Sequence, residues 1–153
     1  MKKRMIILVL AALLCVAGAA SAQTAYVSGG SLRVREAPDR SAQALGSLYE
    51  GAPVEVTGAS GEWSQVQLSG VTGYVMTAYL SASPAQDATR QGTVVSPYGT
   101  PTVMLRSRPS NSYGTVGMLS AGEGVRVLGE MNGSFYCVNA SSGTGFLSGN
   151  EVR

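Results

Sequence analysis

Apolar and polar residues alternate in short runs along most of the chain. Leu32-Arg33-Val34-Arg35 and Val54-Glu55-Val56-Thr57 repeat with period two, which sends successive side chains to opposite faces of an extended segment. Val66-Gln67-Leu68 continues the alternation, and Gly73-Tyr74-Val75 begins a further strand after a Ser69-Gly70 turn. Ala25-Tyr26-Val27 precedes this series, and Gly58-Ala59-Ser60-Gly61 reads as hairpin punctuation. Strands are predicted again at Thr93-Val94-Val95, Val125 to Leu128, Phe135 to Ala140 and Gly145 to Leu147. Between two of them Asn132-Gly133 is a dipeptide that accepts positive φ at both turn positions. Outside an N-terminal apolar run no window carries a 3.6-residue period, so the chain is predicted to be all-β.

The pattern is also a repeat. Val34-Arg35-Glu36-Ala37-Pro38 is answered by Leu105-Arg106-Ser107-Arg108-Pro109, and Gly46-Ser47-Leu48 by Gly117-Met118-Leu119, at an offset of 71. After Gly58 and Gly129 the second copy gains one residue, and Trp63, Val66, Thr72-Gly73-Tyr74-Val75 and Leu80 meet Phe135, Val138, Thr144-Gly145-Phe146-Leu147 and Val152 at an offset of 72. Two copies of one small unit follow. Between them, residues 83–92 are small, polar and without period, and are predicted to be a linker joining units at 23–82 and 93–153.

The N-terminus differs from everything after it. Lys2-Lys3-Arg4, an apolar run from Met5 to Ala20 and the small-x-small tripeptide Ala20-Ser21-Ala22 predict a secretory signal peptide, residues 1–22, and a secreted or cell-envelope protein. The run is short for a membrane span, and no other segment is apolar enough to cross a bilayer. Leu13 and Leu14 before Cys15 argue against a lipid anchor.

Cleavage changes the charge balance. All three basic residues of the leader depart, leaving eight Arg against nine acidic residues, a net charge of −1, with no Lys and no His. Nucleic acid is disfavoured as a partner, because displacing counterions from phosphates needs a dense basic patch. The absence of His removes Ser-His-Asp and Cys-His arrangements and histidine zinc sites. Paired carboxylates at Glu36 with Asp39 and Glu123 with Glu130 fall in predicted turns or on polar faces. No catalytic residue, metal or cofactor is therefore expected.

The series LRVREAP, GSL, EG, VEV, GEWSQV, TGYV and AYL resembles the bacterial Src-homology-3-like (SH3) domain of secreted and cell-wall-associated proteins. The second copy departs at Phe135 in place of Trp, at Glu151-Val152 in place of the Tyr-Leu ending and at Met104. The resemblance implies two small SH3-like β-barrels in tandem, of five to seven strands each, acting as targeting modules that bind peptidoglycan or peptides. Leu32, Val34, Leu48, Val54, Val56, Val66, Leu68 and Val75 would fill the first barrel, and Leu105, Leu119, Val125, Val127, Val138 and Leu147 the second. Each copy is thus expected to hold a full set of apolar positions and to unfold separately.

Aromatic and arginine residues are the candidates for binding. Trp63, Tyr74 and Tyr79 are expected to converge beside the loop from Arg35 to Arg40, where Arg35, Asp39 and Arg40 would orient a charged ligand. Packing over the barrel's open end and edge is the alternative for these aromatics. The second copy offers Arg106, Arg108, Tyr113, Phe135 and Phe146, with Tyr136 added. Two readings are carried: a cell-wall peptidoglycan or peptide binder, and an adaptor holding a secreted or envelope protein partner. Cys137 alternates with Val138, so it points away from the interior that Val138 fills, and its counterpart Gln65 is polar. An exposed thiol there makes a disulfide-linked dimer a candidate, with buried packing as the alternative.

Overall fold

The structure is a computed structural model that describes residues 21–84 and 90–153. Most of the expected signal peptide and residues 85–89 of the expected linker lie outside the described residues. The first copy contains β1 (Gln23–Val27), β2 (Leu32–Arg35), β3 (Ala44–Leu48), β4 (Pro53–Ser60), β5 (Trp63–Leu68), β6 (Val71–Met76) and β7 (Leu80–Ser81), with a 3-10 turn at Thr77–Tyr79. The second contains β8 (Arg90–Thr93), β9 (Thr102–Arg106), β10 (Thr115–Ser120), β11 (Gly124–Met131), β12 (Phe135–Ala140) and β13 (Gly143–Ser148). The chain is all-β, as its alternation predicts, and no described helix is long and apolar enough to cross a membrane.

Local chemistry sets these bounds. Leu32 and Val34 are buried while Arg33 is exposed and Arg35 half-buried, the period-two pattern of a strand with one face on a core. Asn132 and Gly133 take φ of 50° and 65°, closing the β11–β12 hairpin in the left-handed region their side chains tolerate. In the first copy Gly58, Ala59 and Ser60 belong to β4 rather than to a turn. A bulge between Val56 and Gly58 bends the strand there, and it carries on in register with β5 until Ser60 meets Trp63. Gly73 and Gly145 do the same work in both copies: a Cβ would stand 2.4 Å from Val34 Cγ1 at one and 2.6 Å from Leu105 Cγ at the other, so only glycine lets these strands cross.

The two copies follow one connectivity, but they do not form two separately closed barrels. A single sheet runs β10-β9-β13-β12-β11-β3-β2-β6-β5-β4-β1-β7, with β8 also on β11. The join is β11 against β3, where Gly129, Glu130 and Met131 pair with Leu48, Ser47 and Gly46. Tyr49 N–H donates to Leu128 O at 2.7 Å and Asn132 N–H to Leu45 O at 2.8 Å, extending the ladder at both ends. Backbones approach so closely that a Cβ on Gly46 would lie 2.2 Å from Glu130 O, and one on Gly129 2.2 Å from Ser47 O.

Packing follows the join. One core holds Val27, Val34, Leu48, Val54, Val66, Leu68 and Val75 of the first copy together with Leu128, Met131, Cys137 and Phe146 of the second. A second core gathers Val103, Leu105, Leu119, Val125, Val138 and Leu147, with Tyr49 of the first copy against it. The expectation of separate, self-sufficient cores therefore fails. On β12 the neighbours Cys137 and Val138 are both buried, Cys137 in the shared core and Val138 in the core of its own copy.

Cys137 is corrected by the same fact. It does point away from the interior that Val138 fills, but copy one covers it completely. Burial pushes its thiol up to about 12, so it stays neutral and inaccessible, which argues against a disulfide-linked dimer. Thiol reagents at pH 8 should label Cys137 in denaturant and leave the native chain unmodified. Fast native labelling would mean the copies separate.

Candidate functional site

The outer face of the first copy carries an open groove of about 400 Å³ lined by Arg33, Arg35, Arg40, Trp63, Met76 and Tyr79, with Ser31 and Leu32 at its edge. Alternation builds it. Arg33 and Arg35 leave β2 on the face opposite Leu32 and Val34, and Trp63 on β5 pairs across to Met76 on β6. Tyr79 arrives from the 3-10 turn and is 47% exposed, whereas Trp63 is buried to 8% and belongs to neither core cluster. The groove thus has a rigid aromatic floor and three guanidinium groups, with no carboxylate among its lining residues.

Arg35 is held in place. Its Nη1 donates to Ala42 O at 2.7 Å, clasping the loop that brings Arg40 back toward the groove. Asp39 organises that loop instead of facing a ligand, since its Oδ1 accepts from both Ser41 N–H and Ser41 Oγ at 2.7 Å. These bonds from Ser41, with the Arg35 charge behind them, hold the Asp39 carboxyl below its usual range. Tyr74 lies opposite Arg35 in the β2–β6 register, outside the groove lining, and its hydroxyl accepts from Gln65 Nε2 at 3.2 Å.

The second copy does not repeat the arrangement. Arg33 becomes Met104, Arg40 becomes Asn111 and Tyr79 becomes Glu151, so two of three cations are lost and an anion is gained. Arg106 keeps the structural role of Arg35, donating from Nη1 to Tyr113 O, and lines a groove of about 330 Å³ with Met104, Glu151 and Tyr98. Tyr98, 85% exposed, stands on the loop from Ser96 to Pro101. Arg108 and Tyr113 stack at 5.0 Å and line a cleft between the copies with Leu45 and Val71. Tyr136 packs on the second core and borders a small cleft with Arg90 and Gly92. Phe135 is buried, and Phe146 is fully enclosed in the shared core. The candidates of the second copy are therefore spread over three clefts and the buried interior.

Two residues of the first groove, Arg33 and Met76, are absent from the binding candidates that the sequence offers. Arg33 was within reach of it, because period two puts it on the same face as Arg35. Met76 becomes visible only through its cross-strand pairing with Trp63.

The bacterial SH3 domain family matches residues 30–81 and 101–153, one match on each copy and together more than half of the sequence. The chain belongs to the bacterial SH3 domain family. Both SH3 units include the strands that frame the grooves described above. Among curated proteins none matches the sequence. Similar solved structures include NlpC1 of Trichomonas vaginalis, at 16% identity and a TM-score of 0.41 over 87% of this chain and 46% of that one. NlpC2 of the same organism gives 15% and 0.40 over 89% and 49%, and an NlpC/P60 family protein of Bacillus cereus 17% and 0.35 over 86% and 56%. This tandem SH3 chain spans about half the length of those structures.

Proposed function

We propose that the protein is an exported, non-catalytic binding module whose first SH3 unit takes a carboxylate-bearing peptide of the cell wall. The observation that carries this reading is the groove itself: Arg33, Arg35 and Arg40 surround Trp63, Met76 and Tyr79 on a chain that is otherwise nearly neutral. Guanidinium forks recognise carboxylates in bidentate fashion, and aromatic floors supply contact area at small entropic cost. Peptidoglycan stem peptides combine free carboxylates with short aliphatic segments, which suits both parts. Export agrees with the fold, because cleavage after Ala22 leaves β1 whole from its first residue, Gln23.

The second SH3 unit favours a different ligand. Its groove offers one Arg beside Glu151, with Met104, Met118 and Tyr98 exposed around it, a mixed surface of the kind protein interfaces use. Holding a secreted protein partner there is the second reading.

Pelleting with purified peptidoglycan tests the first. The chain should sediment with the polymer and be released by soluble stem peptide, and release should strengthen with salt because charge carries part of the contact. A chain that stays in the supernatant at low salt contradicts the proposal.

A further inference from the structure

The cleft between the two SH3 units offers a chemistry that neither groove uses. It encloses about 450 Å³, with Leu45, Val71 and Met131 as its apolar part, Arg108, Tyr113 and Asn132 beside them, and no carboxylate in the lining. Leu45 and Val71 come from the first copy and pack against the shared core, in which Met131 of the second is buried. Neither copy alone presents the whole surface.

Arg108 and Tyr113 are additions of the second copy. At the offset of 71 they stand where Ala37 and Ala42 stand in the first, on a loop of the same length. Arg35 and Arg106 clasp the two loops in the same way, through Ala42 O and Tyr113 O. Two alanines have thus become a guanidinium stacked 5.0 Å from the centre of a phenol ring, at the mouth of the junction. The first copy holds this loop from its other side. Gly70 N–H donates to Ser107 O at 2.7 Å, and Arg108 Cγ lies 3.2 Å from where a Gly70 Cβ would be. Arg108 is therefore steadied along its stem by Gly70 and across its face by Tyr113. Among the described residues no hydrogen bond engages its guanidinium edge.

We infer that this cleft binds the C-terminal end of a partner polypeptide whose last residue is aliphatic, with the terminal carboxylate on Arg108 and the side chain against Leu45, Val71 and Met131. The sign of the charge follows from a lone fixed cation in a lining without carboxylates. A guanidinium stacked on a ring still presents its N–H edge, and that edge matches the two oxygens of a carboxylate. The apolar part of the cleft asks for an aliphatic group next to that carboxylate, and a chain end supplies both on one residue. Such a ligand touches both units, so it binds only while they are joined.

Amide chemical-shift titration of the exported form, residues 23–153, with N-acetyl-valyl-leucine tests this, and the C-terminal amide of the same dipeptide is the control. The acid should give saturable shifts at Leu45, Val71, Arg108, Tyr113 and Asn132, and the amide should bind roughly tenfold more weakly. Arg108 is exposed, so Arg108→Gln should stay folded by circular dichroism and bind acid and amide alike. An absence of saturable shifts at the cleft up to about 10 mM overturns the inference. So does an Arg108→Gln variant that still prefers the acid. Shifts confined to Arg33, Arg35 and Arg40 would place the carboxylate in the groove of the first unit and also overturn it. Equally tight binding of N-acetyl-D-alanyl-D-alanine at the cleft would assign it to the wall polymer and overturn the choice of a protein end.

Discussion

Phe146→Ala is expected to lower the stability of the whole chain by about 3–5 kcal/mol and to unfold both SH3 units in a single transition. Phe146 belongs to the second copy by sequence but is fully enclosed in the core that contains Val34, Leu48 and Val75 of the first. Removing it opens a cavity shared by both, so neither copy is spared. The matching Tyr74 in the first copy is only half-buried and keeps its hydroxyl on Gln65, so Tyr74→Ala should cost markedly less. Urea titration followed by Trp63 fluorescence and by far-ultraviolet circular dichroism checks the claim. Coincident transitions are expected, and two separated ones would mean that the units are thermodynamically independent.

Trp63→Ala is expected to weaken binding of a stem peptide by about 2 kcal/mol or more, roughly 30-fold, with Phe135→Ala leaving binding unchanged if the fold survives. Trp63 is the floor of the arginine groove, while Phe135 lines no equivalent in the second unit. Trp63 is only 8% exposed, so its truncation also removes packing, and affinity is compared only once circular dichroism shows the variant folded. Arg33→Ala separates charge from packing: it is exposed, holds no loop, and should reduce affinity with little effect on stability. A folded Trp63→Ala variant with parental affinity would move the site off the first unit.

Much of this architecture is legible in the residues. Period-two alternation fixes the faces of β2 and β5, and the offsets of 71 and 72 reveal the second unit. What the sequence conceals is contact between the copies. Gln65 and Cys137 occupy one position in two surroundings, a wet face in the first copy and a covered one in the second, and alternation alone cannot tell an outward face from an outward face that is docked. The divergence of the second copy carried the signal. Leu128, Met131, Cys137 and Phe146 stand where Thr57, Ser60, Gln65 and Tyr74 stand in the first, a polar-to-apolar change at four positions of one outer face. The site was partly readable for a related reason: Arg35, Arg40, Trp63 and Tyr79 do meet, but Asp39 is used by its own turn, and Arg108, Tyr113 and Tyr136 are placed by the junction and not by a second groove.

Amide chemical-shift mapping during titration with a soluble stem peptide tests the central claim, that the first SH3 unit carries the ligand groove. The account predicts saturable shifts clustered at Leu32, Arg33, Arg35, Arg40, Trp63, Met76 and Tyr79, including the Trp63 indole N–H. Shifts confined to Met104, Arg106, Tyr98 and Glu151, or spread without a cluster, would contradict it.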